Sequence, residues 1–297
     1  MSQAAATVDA VHDERAVGLW ADAFRRMRRS KAAIIGGTIV GFFVLMAIFA
    51  PFIAPYDPTR GNLADSYLPP FTADHLFGTN VQGQDVFSRI VFGSRLTLGI
   101  AVLSVSIGVT VGAILGSLAG YFRGWVDAVI MRGVDIMLSI PGLLFAIAVV
   151  TWLGRGVIQI AIAIAIVNIP IFARLLRGSL LSLREADYVI AARSVGVGAG
   201  ALLVQHMLPN AIGPLIVQAT LALATAVVDA AALGFLGLGP PDPRTPEWGT
   251  MLSDTYRYLN DAVHLAFFPG IAIVISVLGF NLLGDGMREA LDPKLRR

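Results

Sequence analysis

The sequence predicts an all-α membrane protein with six transmembrane helices, and three observations carry that prediction. Of the 297 residues, 56% are hydrophobic and 14% charged, whereas a water-soluble domain carries about a quarter charged residues. The mean hydropathy is +0.74. Six uncharged runs are long enough to cross the bilayer, which takes roughly 20 apolar residues for about 30 Å of hydrocarbon.

In order, residues 1–30 form a polar N-terminal tail. Trp20, Phe24 and Met27 recur there at helical spacing opposite Arg25, Arg26, Arg28 and Arg29, which reads either as an interfacial amphipathic helix or as a disordered basic tail. A cleavable signal would reach its apolar core earlier, so the first helix, within residues 31–54, is expected to stay as an anchor. Residues 55–94 follow as an extracytoplasmic loop, and residues 95–297 hold five further helices. Their uncharged runs are Leu96 to Phe122, Ile136 to Gly154, Gly156 to Ala173, Met207 to Val228 (continuing past Asp229 to Pro241) and Leu265 to Gly284. The fourth span of the set contains a strict alternation from Ile158 to Ile166, a strand pattern in water. In lipid a lone strand would leave its backbone polar groups unpaired, so a helix is expected.

Six crossings put both termini on one side, and with the termini cytoplasmic 16 of the 22 Lys and Arg residues fall inside. Arg60, Arg89, Arg95, Arg155, Arg244 and Arg257 fall outside, a bias that supports this orientation in a bacterial inner membrane. A third long connection, residues 174–206, is charged and cytoplasmic in that arrangement.

Several chemistries are excluded. Without cysteine there is no disulfide or thiol chemistry. His12, His75, His206 and His264 are dispersed, with no metal-ligand spacing, so no metal is expected. No paired carboxylates or activated serine suggest catalysis, and a net charge of +2 gives no reason to expect nucleic acid. No G-x-x-x-x-G-K-[ST] loop occurs, so this chain lacks the usual means of holding ATP phosphates.

The cytoplasmic connection contains Ala191-Ala192, then Gly196, then Leu208-Pro209 at the start of the fifth span. Small residues seat a short helix closely against a partner, glycine permits a sharp turn, and proline suits a first helical turn. The pattern resembles the coupling motif of ABC importer permeases, E-A-A, three residues, G, nine residues, I-x-L-P. Ile190 stands in place of the acid and His206 in place of the isoleucine. Gly78-Thr79-Asn80 with Gly83-Gln84-Asp85-Val86 resembles an outer segment of the C-type permease of dipeptide and oligopeptide importers. Gly234 to Gly239 with Pro246-Glu247-Trp248-Gly249 is similar to its outer loop. Phe280 to Arg288 with Leu291 to Arg296 is similar to its C-terminal signature.

The resemblance implies a type I ABC importer permease fold and a non-catalytic subunit forming half of a translocation pathway. It also implies a heterodimer with a B-type permease in membrane lipid, two cytoplasmic subunits that carry ATP and Mg2+, and an extracytoplasmic substrate-binding protein. Ala191, Ala192, Gly196, Leu208 and Pro209 would couple to the ATPases. Asp85, Trp248 and Gly249, on the outer segments, would meet the binding protein. Dipeptides or oligopeptides are the implied substrates, with nickel chelates, glutathione or opine-like solutes as alternatives.

A self-sufficient secondary transporter is the competing class. It would be expected to show several intramembrane ionisable groups or inverted repeats, and only Asp229 stands well inside a span. Asp229 either lines the pathway, favouring a substrate ammonium, or fixes the outer loop. Asn168, near Pro170, and Ser139, near Pro141, mark bends or polar groups facing a cavity. Gly108, Gly112, Gly116 and Gly120 recur every four residues, a smooth stripe for close helix packing within or between subunits.

Overall fold

The computed structural model describes residues 24–72, 74–258 and 262–291. Most of the N-terminal tail, including Trp20, and the signature beyond Leu291 lie outside the described residues. Nine helices organise the rest: α1 (Lys31–Ile48), α2 (Val86–Phe122), α3 (Gly124–Ser139), α4 (Gly142–Leu153), α5 (Val157–Leu183), α6 (Asp187–Ser194), α7 (Leu208–Leu233), α8 (Trp248–Thr255) and α9 (His264–Leu291). Short helical turns extend or link them, and no strand occurs among the described residues.

Helix α1 starts at Ser30, whose Oγ accepts from the Ala33 N–H at 3.4 Å and donates to Glu289 at 3.1 Å. This joins the start of α1 to the end of α9. The two helices run antiparallel and close because Gly36, Gly279 and Gly286 present bare backbone where a Cβ would strike the neighbouring chain. Leu221 of α7 lies against Gly284, and Thr220 donates to the Met287 sulfur at 3.3 Å, so α7 also runs against α9.

The glycine stripe of α2 packs within the chain. Gly108, Gly112, Gly116 and Gly120 meet Asn168, Phe172, Ala173 and Leu180 of α5 in that order, so α2 and α5 run parallel. A crossing must therefore return the chain between them. Sequence periodicity predicts one span over Ile136–Gly154, but the structure replaces it with α3 and α4, bent by 96°. The cause is local. Pro141 forces Ile140 into an extended conformation (φ −93°, ψ 130°), which ends α3. With 12 residues, α4 is about 18 Å long, so the bent pair together makes the sixth crossing.

Three other expectations resolve at this level. The alternating stretch is helical throughout α5, and Pro170 sits inside that helix without interrupting it. Helix α2 begins at Val86, ten residues before the predicted span, because Asp85 caps it through the Ser88 N–H at 2.7 Å. All crossings order the bundle into two ends. One carries residues 55–72, 74–85, 239–258 and 262–263 and is called the loop end; the other carries Ser30, Glu289, α3 and α6 and is called the knob end.

Candidate translocation path and coupling knob

At the loop end, α8 is inserted between α2, α7 and α9. Trp248 is fully buried, donates from Nε1 to the Ile90 carbonyl at 3.0 Å, and meets the Phe43 ring edge-on at 5.6 Å. Glu247 caps α8 by accepting the N–H groups of Gly249 and Thr250, each at 2.8 Å, and the Thr97 hydroxyl at 3.3 Å. Burial raises the Glu247 carboxyl to about 7, against the lowering effect of these three donors. Gly249 sits so tightly on the Ala231 backbone that any side chain would collide with it.

Arg89 is the other organiser of this end. Its side chain is 1% exposed and donates to the carbonyls of Pro58 and Arg244 and to Gln84 Oε1 at 3.0, 3.0 and 2.7 Å. One guanidinium thereby ties the segment after α1 to the segment before α8. Beside it, Asp85 accepts from Ser88 and lies 2.9 Å from His75 Nδ1, on which the Tyr56 ring packs at 4.7 Å. Thr79 is buried, accepting from the Leu68 N–H and donating to the Asp65 carbonyl. Asp85, Trp248 and Gly249, expected from the resemblance to meet an external protein, are buried within this chain: Asp85 bonds Ser88 and His75, Trp248 bonds Ile90, and Gly249 sits on the Ala231 backbone, so they shape the loops from within.

Within the bundle, α7 presents one face that is not covered by its own chain. Gln218, Thr225 and Asp229 fall on that face, at spacings of seven and four residues. Asp229 is partly exposed and its carboxylate makes no ion pair among the described residues. Sequence reasoning singled out Asp229 but missed Gln218 and Thr225, although their helical spacing from the acid was the available signal. The other two pathway candidates separate. Ser139 is exposed at the α3–α4 bend, where its hydroxyl donates to the Ile136 carbonyl at 2.7 Å. Asn168 is buried between α2 and α5, donating to the Ile164 carbonyl at 2.9 Å, and does not line an open surface.

The knob end is a small second core. Val189 of α6 packs with Leu176 and Leu180 of α5 and with Leu202, Met207 and Ala211 at the entry to α7. Ala192 and Leu208 lie against it, whereas Ala191 and Pro209 face outward. Helix α6 ends in a Schellman turn: Val197 N–H bonds the Ala192 carbonyl and Gly196 N–H the Arg193 carbonyl, both at 3.1 Å, with Gly196 at φ +85°. A widened helical turn, Leu202–Met207, then feeds α7, and Asn210 caps the freed His206 carbonyl at 2.7 Å. The exposed side of α6 is mixed: Ile190 (49% exposed) and Ala191 stand among Asp187, Tyr188, Arg193 and Ser194, and Val195 (81% exposed) follows just past the helix end. Two ion pairs, Arg174 with Asp135 and Arg177 with Asp127, both at 2.5 Å, pin α3 to α5 nearby.

Comparisons with known proteins agree with this architecture. Residues 108–297 match the family "binding-protein-dependent transport system inner membrane component", and residues 18–70 match the N-terminal transmembrane domain of oligopeptide transport permease C. The chain is 46% identical over 281 residues to the dipeptide transport system permease protein DppC of Alkalihalophilus pseudofirmus, covering 95% of this chain and 92% of that protein. It is 43% identical to the glutathione transport system permease protein GsiD of Escherichia coli, covering 93% and 91% of the two chains. Among solved structures it resembles the inward-facing MetNI methionine ABC transporter, with TM-score 0.59 and 21% identity over 69% of this chain and 97% of the other. The chain therefore belongs to the family of binding-protein-dependent transport system inner membrane components, as a C-type permease subunit with the type I ABC importer fold.

Proposed function

We propose that this subunit forms half of the channel of an importer for dipeptides or oligopeptides, pairing with a B-type permease. Its termini and α6 face the cytoplasm, in keeping with the placement of its basic residues. Two cytoplasmic subunits that bind ATP and Mg2+ dock on α6, and an extracytoplasmic binding protein delivers substrate to the loop end. This chain itself binds no nucleotide and performs no catalysis.

The observation that carries the reading is the knob. Exposed apolar groups, Ile190 and Val195, set among charged residues on a short helix that is itself locked into the bundle, suit a partner surface. Because Val189 fixes α6 to both α5 and α7, a displacement of α6 is passed to the spans. Ala191, Ala192, Gly196, Leu208 and Pro209 serve this linkage. In the family pattern an acid precedes the two alanines; here Ile190 supplies apolar area at that position.

The polar face of α7 is the proposed conduit wall. Polar side chains left uncovered within a span do not favour lipid, and Gln218, Thr225 and Asp229 together offer hydrogen bonds and one negative charge to a substrate ammonium. Ser139, exposed at the α3–α4 bend, is a separate candidate lining group, and Asn168, buried against Gly108, supports the packing of α5 on α2. Glutathione is the second substrate reading, supported by similarity to the glutathione permeases. Assays of both labelled dipeptide and glutathione uptake separate the two.

A cysteine at Ile190 in an otherwise native complex tests the docking. Cross-linking to an ATP-binding subunit is expected, with no labelling by reagents that cannot enter the cell. Labelling from outside would overturn the assignment.

A further inference from the structure

Two adjoining cavities at the knob end are not used by the reading above. One is an apolar groove of about 520 Å3 between the last turns of α2 and the segment before α7, walled by Ile114, Leu118, Leu203 and Val204. The other, also about 520 Å3, is lined by Arg184 and Arg193 together with Leu202 and Met207. Tyr121 and Phe122 border both, so the two lie side by side.

The charges here are distinctive. Arg174 and Arg177, on the same side of the bundle, each hold an aspartate, whereas Arg184 and Arg193 form no ion pair among the described residues. Glu185 and Asp187 flank Arg184 in sequence, yet neither reaches it. The groove opens sideways from a membrane-spanning helix, with Ile114 56% and Val204 61% exposed. Its walls run along α2 toward Phe122, where the arginines stand. An apolar slot beside a membrane-spanning helix that ends in two guanidiniums without an ion pair among the described residues matches a molecule with an acyl chain and an anionic head.

We propose that the two cavities form one site for an anionic phospholipid, with an acyl chain in the groove and the phosphate on Arg184 and Arg193. Leu202 and Met207 belong to the small core that holds α6, so the bound lipid braces the knob against α2. The proposal needs only membrane insertion of this chain and is independent of the substrate reading.

The test uses the intact complex in nanodiscs of phosphatidylcholine containing a minor fraction of phosphatidylglycerol, followed by native mass spectrometry of the lipid retained after extraction. Wild type is expected to retain phosphatidylglycerol in preference to phosphatidylcholine. The Arg184→Gln/Arg193→Gln double variant is expected to lose that preference by roughly twenty-fivefold, about a fivefold contribution from each arginine. Val204→Trp, which fills the groove and leaves both arginines, should lose it as well. Equal retention of the two lipids by wild type, or unchanged preference in both variants, would overturn the proposal. So would displacement of the lipid by inorganic phosphate at equal concentration, which would mark a free-anion site. A photo-cross-linker at Val204 that captures the second permease subunit instead of lipid would also refute it.

Discussion

The guanidinium of Arg89 donates to the backbone carbonyl of Arg244 at 3.0 Å, joining the first turn of α2 to the loop before α8 across a separation of 155 residues. A buried cation held by carbonyls and one amide, with no carboxylate bonded to it, acts as a tie between segments. Removing it takes the Arg89 donor from the Pro58 and Arg244 carbonyls and from Gln84 Oε1, which keeps Asn80 Nδ2 at 2.8 Å. Arg89→Ala is expected to destabilise the loop end by about 2 to 4 kcal/mol and to lower the amount of assembled complex. Thermal unfolding of the purified complex reads the loss, and an unchanged midpoint would show that the tie is not needed.

The glycines of α2 make a contrast that can be tested within one helix. A Cβ at Gly112 would come within 2.6 Å of Phe172 Cβ and 2.7 Å of the Ile169 carbonyl, whereas one at Gly99 meets nothing within 4 Å. Gly112→Ala should cost about 1 to 3 kcal/mol by forcing α2 and α5 apart. Gly99→Ala should be neutral or favourable by up to about 1 kcal/mol through reduced backbone freedom in the unfolded chain. Equal effects would contradict the packing role.

Glu247 gives a pH dependence with a definite sign. Its carboxyl titrates at about 7 in the folded chain and at 4.5 in the unfolded reference, so the folded state binds the proton more tightly. The resulting stabilisation is complete below pH 4.5 and fades as pH rises through about 7. The thermal midpoint of the complex should therefore fall between pH 5.5 and pH 8 by a larger amount in wild type than in Glu247→Gln (both pH values about a unit from the folded titration). Parallel pH profiles in the two proteins would remove Glu247 from this role.

On the α7 face, Asp229→Asn preserves shape and removes the charge. If that charge favours a substrate ammonium, peptide uptake should fall about tenfold while subunit levels stay constant, the equivalent of about 1.4 kcal/mol. Asp229→Glu should recover part of it. Unchanged uptake at normal subunit levels would leave Asp229 as a group that only fixes the adjacent loop.

Most spans were legible because an apolar run of sufficient length has few alternatives in lipid. The early start of α2 was hidden by Arg89 and Arg95, which interrupt the uncharged run; Arg89 is accommodated by carbonyls brought from distant loops, which no local pattern encodes. Pro141 and Ser139 marked the place of the α3–α4 bend, but no local pattern encodes its 96° angle. Trp248 and Asp85 looked like exposed recognition residues because they lie in polar loops, and only tertiary packing reveals that they face inward. The turn after α6 was readable locally, since Gly196 sits at a positive φ that glycine supplies without strain.

The central claim is that force enters through α6, and Gly196 tests it most directly. No atom lies within 4 Å of a Cβ built there, so Gly196→Asp should cost only about 1 kcal/mol of backbone strain and leave the complex assembled. With the variant complex in proteoliposomes, ATP hydrolysis should continue while ATP-driven uptake of labelled dipeptide falls at least about tenfold, the equivalent of about 1.4 kcal/mol of lost coupling. Wild-type uptake by a fully assembled Gly196→Asp complex would contradict the account.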